Sequence, residues 1–212
     1  MWFAPIGIFG ALAAAITTQG LGVLATYGKF IGSFYLGIVL LWTLLIGAGF
    51  VFLGPSVFRL MREVRDPLFV AFTTASSEAA YPKLMAGLQR FGVNDRVSSF
   101  VLPLGYSFNL DGSMLYQSFA ALFIAQAYGI EMSVGQQVTL LLVMMLSSKG
   151  VAGVPRASLV VVAAVLPMFG LPEAGLLLII GIDQFLDMGR TATNVIGNSI
   201  ATSVVAKWEG QL

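Results

Sequence analysis

Apolar residues run along this chain in long continuous blocks rather than in short alternating segments. The blocks are residues 1–28, 30–58, 97–130, 134–147, 151–182 and 191–206. A bilayer core of about 30 Å takes about 20 helical residues to cross, so several blocks predict membrane-spanning helices. The 134–147 block is too short to cross and predicts a re-entrant or broken element. A transmembrane β-barrel needs alternating segments of about ten residues, so the pattern predicts an all-α membrane protein.

Charged residues fall mainly between the blocks and predict the orientation of the chain. RLMREVRDP (59–67) is the densest cluster, followed by the charges of 83–96 and by Lys207. The 128–135 and 168–174 connections carry acidic charge only. Because cytoplasmic loops are enriched in Lys and Arg, the two clusters and the C-terminus are expected in the cytoplasm. The chain is thus predicted to be a multi-pass protein of the inner (plasma) membrane.

Composition strengthens the membrane class and removes several kinds of chemistry. Hydrophobic residues make up 58% of the chain and charged residues 10%, whereas about a quarter of a soluble domain is charged. The chain has no Cys and no His, which excludes disulfides, imidazole bases and soft-metal sites built from its own residues. Membrane lipid is an expected partner, and nothing in a net charge of +1 predicts nucleic acid.

Two segments are too short to cross the membrane twice and yet begin and end on one side. Residues 67–90 join two cytoplasmic clusters through TTASSEAAYP, and residues 131–173 begin and end outside, with SSKGVAGVP (147–155) between. Both are predicted to be re-entrant helical hairpins. Irregular backbone at membrane depth is tolerated only where it is buried in protein or lines a cavity.

The two hairpin tips are similar in sequence. A serine pair is followed by a proline in each, as Ser76-Ser77 with Pro82 and Ser147-Ser148 with Pro155. One hairpin enters from inside and the other from outside, which predicts an inverted repeat. Such repeats are typical of secondary transporters whose binding site lies at the repeat interface. If these residues marked ordinary loops instead, the charge distribution would contradict itself.

A polar stripe runs along the last apolar segment, DQFLDMGRTATNVIGN (183–198). Its members, at intervals of four, three, four and four residues, are Asp183, Asp187, Arg190, Asn194 and Asn198. This spacing places them on one face of a helix. Charged side chains at mid-membrane cost at least a few kcal/mol each, so they are expected to mark a ligand or a pathway. A structural ion pair between Asp187 and Arg190 is the alternative.

The stripe predicts a small anionic substrate. The planar guanidinium of Arg190 can hold a carboxylate in two parallel hydrogen bonds. Asp187, one turn away, can compensate an ammonium group, and Asn194 supplies both a donor and an acceptor. An acidic amino acid is therefore favoured over a simple dicarboxylate, because an unpaired Asp187 would repel a second anion.

Four motifs together resemble one known family. SSEAAYPKL, PLGYSFNLDGSMLYQ, SSKGVAGVPRAS and DMGRTATNVIGN are similar to the two hairpins and two broken helices of the dicarboxylate/amino acid:cation symporters. These are elevator-type transporters of glutamate and aspartate. The resemblance implies symport of an acidic amino acid with protons or sodium, with no cofactor and sodium as the only metal. Symport of a C4-dicarboxylate and an inactive or regulatory fragment are the alternatives.

The resemblance also implies how the chain is organised. Residues 1–58 are expected to form two transmembrane helices, one of scaffold type and one of the transport domain, and 59–212 the transport core. Its predicted parts are hairpin 1 (67–92), a broken helix (97–128), hairpin 2 (134–170) and the polar-striped helix (174–207). MWFAPIGIFG resembles the start of the fifth helix of the family, so the chain is expected to be a C-terminal part. The full-length family forms homotrimers, an assembly left open for this chain.

Residue roles are carried over motif by motif. The resemblance implies that Arg190 holds the side-chain carboxylate of the substrate, Asp187 its amino group and Asn194 its main carboxylate. The other residues implied in substrate binding are Thr191, Ser76, Ser77, Ser113, Gly153 and Val154. Those implied in cation or proton coupling are Asn109, Asp111, Asn198, Glu78, Ser148 and Lys149.

Three positions depart from the sodium-coupled pattern. Asn198 stands where those members carry an acidic residue, and Lys149 stands where an uncharged residue would suit a sodium site better. Both changes weaken a cation site, so the chain resembles the proton-coupled bacterial branch more closely. Glu78 or Asp111 would then carry the proton. Arg156 replaces a glycine and is predicted to pair with Glu78 across the tips.

Enzymatic functions fit the residues less well. Asp111 and Asp187 could mimic the carboxylate pair of an intramembrane protease, but Asp111 lacks the glycine two residues earlier that such proteases show. Arg190 would also keep Asp187 ionised. Ser148 and Lys149 are adjacent, so their side chains cannot easily meet as a catalytic dyad. A carrier, not an enzyme, is therefore predicted.

Overall fold

The structure is a computed structural model that describes residues 20–149 and 157–212, together with residues 9, 10, 13, 16 and 17. In these parts of the chain every regular element is a helix. Helix α1, Gly22–Leu53, is the only described helix long and apolar enough to cross a membrane, with a mean hydropathy of 2.5. Lys29, which separates two apolar blocks in the sequence, lies inside α1. Much of the predicted first helix lies outside the described residues.

Three shorter helices follow α1 and cover the residues for which the first hairpin was predicted. They are α2 (Ser56–Glu63), α3 (Arg65–Thr74) and α4 (Ser77–Phe91). Helices α3 and α4 pack against each other. Two residues join them: Ala75 in the left-handed conformation, with φ of 50°, and Ser76, whose Oγ accepts a hydrogen bond from Ala79 N at 3.2 Å. This cap satisfies one of the free N–H groups that begin α4.

The NLDGSMLYQ stretch interrupts a helix. Helix α5, Asp95–Phe108, ends just before Asn109, and α6, Asp111–Ala127, begins after Leu110. The side chain of Asn94 caps α5 by accepting from Arg96 N at 2.9 Å. Only two residues separate the helices, so the break lies at Asn109–Leu110.

The last third of the chain contains short helices and one long one. Helix α7, Val134–Ser147, begins at a capping box formed by Ser133 and Gln136. Two 3₁₀ turns follow α8, which is Ala157–Val165. Helix α9, Leu176–Ile180, is separated from α10, Asp183–Trp208, by Gly181 and Ile182. The residues expected in a single striped helix over 174–207 are therefore divided between a 3₁₀ turn, α9 and α10.

Helix α10 is the central element of the packing. It contacts α1, α3, α4, α5 and α6, and most of its residues are buried. It also joins the two apolar clusters of the molecule: Leu186 packs with α1 and α6, whereas Val195 and Ile200 pack with α2 to α5. Most of the polar side chains in the middle of α10 are thereby enclosed by protein. This burial is what positions the candidate site.

Candidate functional site

The polar stripe of α10 lies inside the molecule. Asp183, Asp187, Asn194 and Asn198 are 2%, 6%, 3% and 1% exposed. Arg190, between them, keeps 13% of its side chain exposed. Gly112 and Ser113 at the start of α6 contact Asn194 on this face, and Asn109, just after the end of α5, contacts Asn198. Sequence periodicity and tertiary packing therefore select the same side of the helix.

Arg190 is held by partners from two helices. Its Nη2 lies 2.8 Å from Asp187 Oδ1 on α10, and its Nη1 donates to Ser113 Oγ on α6 at 3.2 Å. Thr191 Oγ1 also donates to Asp187 Oδ1, at 3.0 Å. The ion pair that the sequence offered as an alternative to a ligand site is thus present. A guanidinium has five N–H donors, so these contacts leave donors for a further carboxylate.

Asn194 joins the stripe to α6. Its Oδ1 accepts from Gly112 N at 2.9 Å, and its Nδ2 donates to Ser113 Oγ at 3.1 Å. Ser113 Oγ therefore accepts from both Arg190 and Asn194. Both ends of the Asn194 amide bind protein in this state, and only the second N–H of its amide is left for a substrate carboxylate.

Gly112 allows this close approach. A Cβ atom here would lie 2.8 Å from Thr193 Cβ and 2.9 Å from the Arg190 carbonyl carbon. Gly112 does not itself lie at the helix break. The break precedes Asp111, and Gly112 lies within the first turn of α6. Its missing side chain instead lets the two backbones meet.

The predicted coupling residues gather at the break between α5 and α6. Asn109 Nδ2 donates to Asn198 Oδ1 at 3.2 Å. When the Asn109 amide is rotated so that its oxygen and nitrogen exchange places, its nitrogen lies 3.2 Å from both carboxylate oxygens of Asp111. Lys149 Nζ donates to the carbonyl oxygen of Phe108, the last residue of α5. Four of the six residues proposed for coupling therefore lie together.

The remaining coupling candidates lie elsewhere. Ser148 is fully buried, and its Oγ donates to Met145 O at 3.0 Å within its own helical turn. Glu78 Oε2 accepts from Ser76 Oγ at 3.0 Å at the start of α4. The carbonyl of Ser77 accepts from Tyr106 OH of α5 at 3.1 Å, which ties this tip to the broken helix.

Gly153 and Val154, implied in substrate binding, and Arg156, predicted to pair with Glu78, lie outside the described residues.

Two aromatic side chains belong to the site although the sequence analysis did not select them. Tyr116 OH donates to Asp183 Oδ1 at 2.6 Å, and the Arg190 guanidinium carbon lies 5.9 Å from the centre of the Tyr116 ring. Trp42 Nε1 donates to Thr193 Oγ1 at 2.7 Å. Buried Tyr and Trp usually find a hydrogen-bond partner. The available signal for Tyr116 was its place four residues after Gly112, on the same face of α6.

An apolar all-helical chain with a buried, charged stripe defines an integral membrane protein with an internal polar site. The model of the sodium:dicarboxylate symporter family matches residues 1–208. The chain belongs to this family, as the four motifs indicated.

Similar proteins carry two kinds of name. A proton/sodium-glutamate symport protein of Geobacillus stearothermophilus is 46% identical over 211 residues, covering 100% of this chain and 50% of the relative. The proton/glutamate-aspartate symporter of Escherichia coli is 44% identical over 209 residues, covering 99% and 48%. C4-dicarboxylate transport protein 2 of Polaromonas naphthalenivorans is 46% identical over 213 residues, covering 100% and 48%.

The chain spans about half the length of these curated relatives. The family and its members are symporters and not enzymes, in agreement with the sequence prediction. Their names give protons or sodium as coupling ions, and no cofactor. The all-α class and the membrane location also agree with the expectations from composition.

Proposed function

We propose that this chain forms the substrate-binding core of a symporter for glutamate or aspartate, coupled to protons or sodium. The observation that carries the proposal is Arg190, a nearly buried guanidinium held between Asp187 and Ser113. A cation enclosed in this way favours an anionic ligand, and its planar shape favours a carboxylate. Thr191 binds Asp187 and Asn194 binds Ser113, so both help to orient the two partners of Arg190.

Asp187 favours an amino acid as substrate. The carboxylate lies 2.8 Å from Arg190, so an incoming substrate carboxylate competes with Asp187 for the guanidinium. An ammonium group on the substrate would then compensate the displaced Asp187. A C4-dicarboxylate lacks that group and would leave Asp187 buried beside two further anions. The second candidate, C4-dicarboxylate symport, is favoured by the name of the Polaromonas relative.

Counterflow uptake in liposomes tests the proposal. Labelled aspartate, glutamate and succinate are offered to the reconstituted chain, and to the chain fused to the half of the Geobacillus relative that it does not span. We expect both amino acids to exchange at least tenfold faster than succinate. Faster succinate exchange would favour the dicarboxylate alternative. Substrate binding without exchange in either form would favour the inactive-fragment alternative, and neither binding nor exchange would refute the proposal.

The proposed transport core uses the segments predicted from the sequence. Hairpin 1 (67–92) would comprise α3 and α4, and hairpin 2 (134–170) would comprise α7 and α8. In support, α7 has 14 residues and would span only about 21 Å, less than a bilayer core of about 30 Å. The same proposal includes four further features: the elevator movement, the inverted repeat, the cytoplasmic C-terminus in the inner membrane, and the homotrimer of the whole protein.

Glu78 is the proposed proton carrier, since its carboxylate lies at the junction of α3 and α4, where Oε2 accepts from Ser76 Oγ at 3.0 Å, whereas Asp111 lies beside the Asn109 amide at the helix break. We expect Glu78→Gln to reduce uptake driven by a pH gradient at least tenfold while substrate exchange without a gradient persists. Glu131→Gln, which changes an exposed carboxylate in a connection, is the control and should leave both rates unchanged. Undiminished proton-driven uptake in Glu78→Gln would exclude this assignment.

A further inference from the structure

Exposed aromatic side chains surround the C-terminal end of α1. Phe50 and Phe52 lie in its last turn, and both are exposed. The ring of Phe58 in α2 lies 6.1 Å from that of Phe50, and the ring of Trp208 at the end of α10 lies 5.7 Å from that of Phe52. Phe58 and Trp208 are exposed as well. Segments from three helices thus place four aromatic rings beside the last turn of α1.

This end of α1 is expected at the membrane surface. The helix has 32 residues and is about 48 Å long, which exceeds a bilayer core of about 30 Å. At least one of its ends must therefore lie among the lipid headgroups. Trp is enriched at that level of a membrane protein, so Trp208 and its neighbours assign the end at Leu53 to the headgroup region.

Basic side chains flank the aromatic rings on both sides. Arg59 and Arg62 are exposed on α2, and Arg62 follows Phe58 by four residues, which places the two on one face of the helix. Beyond the other side of α1, the exposed Lys207 donates from Nζ to the carbonyl of Phe52 at 2.7 Å. We call Arg59, Arg62 and Lys207 the interface cations.

Protein contacts do not neutralise the two arginines. Arg62 forms no ion pair among the described residues. Arg59 donates from Nη2 to the carbonyl of Phe91 at 2.6 Å, and its guanidinium carbon lies 4.9 Å from the centre of the Phe91 ring. These contacts orient Arg59 without supplying a negative charge.

Most nearby carboxylates have other partners. Glu63 pairs with Arg90 at 3.0 Å, and Asp66 pairs with Arg65 at 3.3 Å. Glu209, exposed two residues after Lys207, is the remaining one in these segments. The three interface cations therefore keep an excess of positive charge at the end of α1.

We propose that the interface cations and the aromatic rings around the end of α1 bind the headgroup of an anionic phospholipid. Arg and Lys are the residues that bind phosphate oxygens. Basic clusters directly after a membrane-spanning helix attract anionic lipids. The rings continue the exposed apolar side of α1, so a ligand that combines a phosphate with acyl chains matches this surface. The site shares no residue with the Arg190 site and lies beyond the proposed symport function.

Lipid binding to the purified full chain in detergent tests the inference. Native mass spectrometry measures the Kd of phosphatidylglycerol and of phosphatidylcholine with the same acyl chains. We expect phosphatidylglycerol to bind the wild type at least tenfold more tightly. Arg62→Gln should weaken this binding about fivefold, which is the effect of one basic side chain near an anionic surface. Arg62→Lys keeps the charge and should change the Kd less than twofold.

Lys29→Gln is the matched control, because it removes one exposed positive charge from the same helix. Lys29 precedes Leu53 by 24 residues, or about 36 Å along α1, so its loss should change the Kd less than twofold. Equal weakening in Lys29→Gln would indicate a general effect of net charge and overturn the inference.

Two other results would also overturn it. One is equal affinity of the wild type for the two lipids. The other is displacement of phosphatidylglycerol by millimolar inorganic phosphate, which would indicate a site for a soluble anion. Lys207→Gln provides a second variant if Arg62→Gln does not fold, and the same fivefold weakening is expected of it. The readout involves neither substrate nor transport, so its failure leaves the proposed symport standing.

Discussion

Replacing Arg190 by alanine is expected to abolish binding and uptake of acidic substrates. The change removes the two N–H groups that can hold a carboxylate, and hydrogen bonds to charged groups contribute about 1.5–3 kcal/mol each. It also leaves Asp187, 6% exposed, buried without its cationic partner at 2.8 Å. Breaking a buried pair in this way costs about 3–5 kcal/mol. Binding of labelled aspartate to the purified protein, together with its unfolding temperature, measures both effects.

Arg190→Lys separates the loss of recognition from the loss of stability. Lysine keeps a positive charge beside Asp187 but lacks the planar fork. We expect a folded protein whose aspartate affinity is about tenfold to a hundredfold weaker, corresponding to one charge-assisted hydrogen bond. If Arg190→Ala bound aspartate with wild-type affinity, Arg190 would be a structural ion-pair partner only, and the substrate site would have to lie elsewhere.

The polar stripe was predictable because two local facts determine it. Helical periodicity places Asp187, Arg190, Asn194 and Asn198 on one face, and an apolar segment cannot leave charged residues in lipid without large cost. Neither fact requires knowledge of the partner helices. What could not be predicted is which protein groups bind the stripe, since Ser113 and Gly112 contact it from a distant part of the chain.

Helix boundaries were less predictable than the stripe. Lys29 marks a charge between two apolar blocks, yet it lies within α1. A single lysine has good helix propensity and can extend its charged end from an apolar surface, so it need not end a helix. In contrast, Gly181 and Ile182 interrupt the predicted striped helix without any charge to mark the position.

The partner of Lys149 was also hidden from sequence reasoning. Its positive charge suggested a weakened cation site, but the acceptor is the backbone carbonyl of Phe108. A backbone acceptor has no residue-type signature, and only the packing of α7 near the broken helix reveals it. The same holds for Gly112, since any glycine in NLDGS is equally compatible with a turn and with close packing.

Gly112→Ala is expected to have the largest effect of any single-methyl addition in the site. The new Cβ would lie 2.8 Å from Thr193 Cβ and 2.9 Å from the Arg190 carbonyl carbon. Backbone atoms of a central helix cannot move aside as a flexible side chain can, so α6 must shift away from α10. Overpacking costs about 1–3 kcal/mol, and the shift would also weaken the bond from Gly112 N to Asn194 Oδ1 at 2.9 Å. The Tm should fall by about 5–10 °C, with loss of aspartate binding.

Gly47→Ala supplies the matched control for this prediction. Gly47 also lies within a helix, α1, but nothing stands within 4 Å of a Cβ built there. Alanine at an unhindered helix position is about 1 kcal/mol more favourable than glycine, so the control should keep or raise Tm and bind aspartate normally. A Gly112→Ala protein with the stability and affinity of Gly47→Ala would show that α6 and α10 do not touch at this point. The arrangement of Ser113, Arg190 and Asn194 would then need a different explanation, because all three depend on that contact.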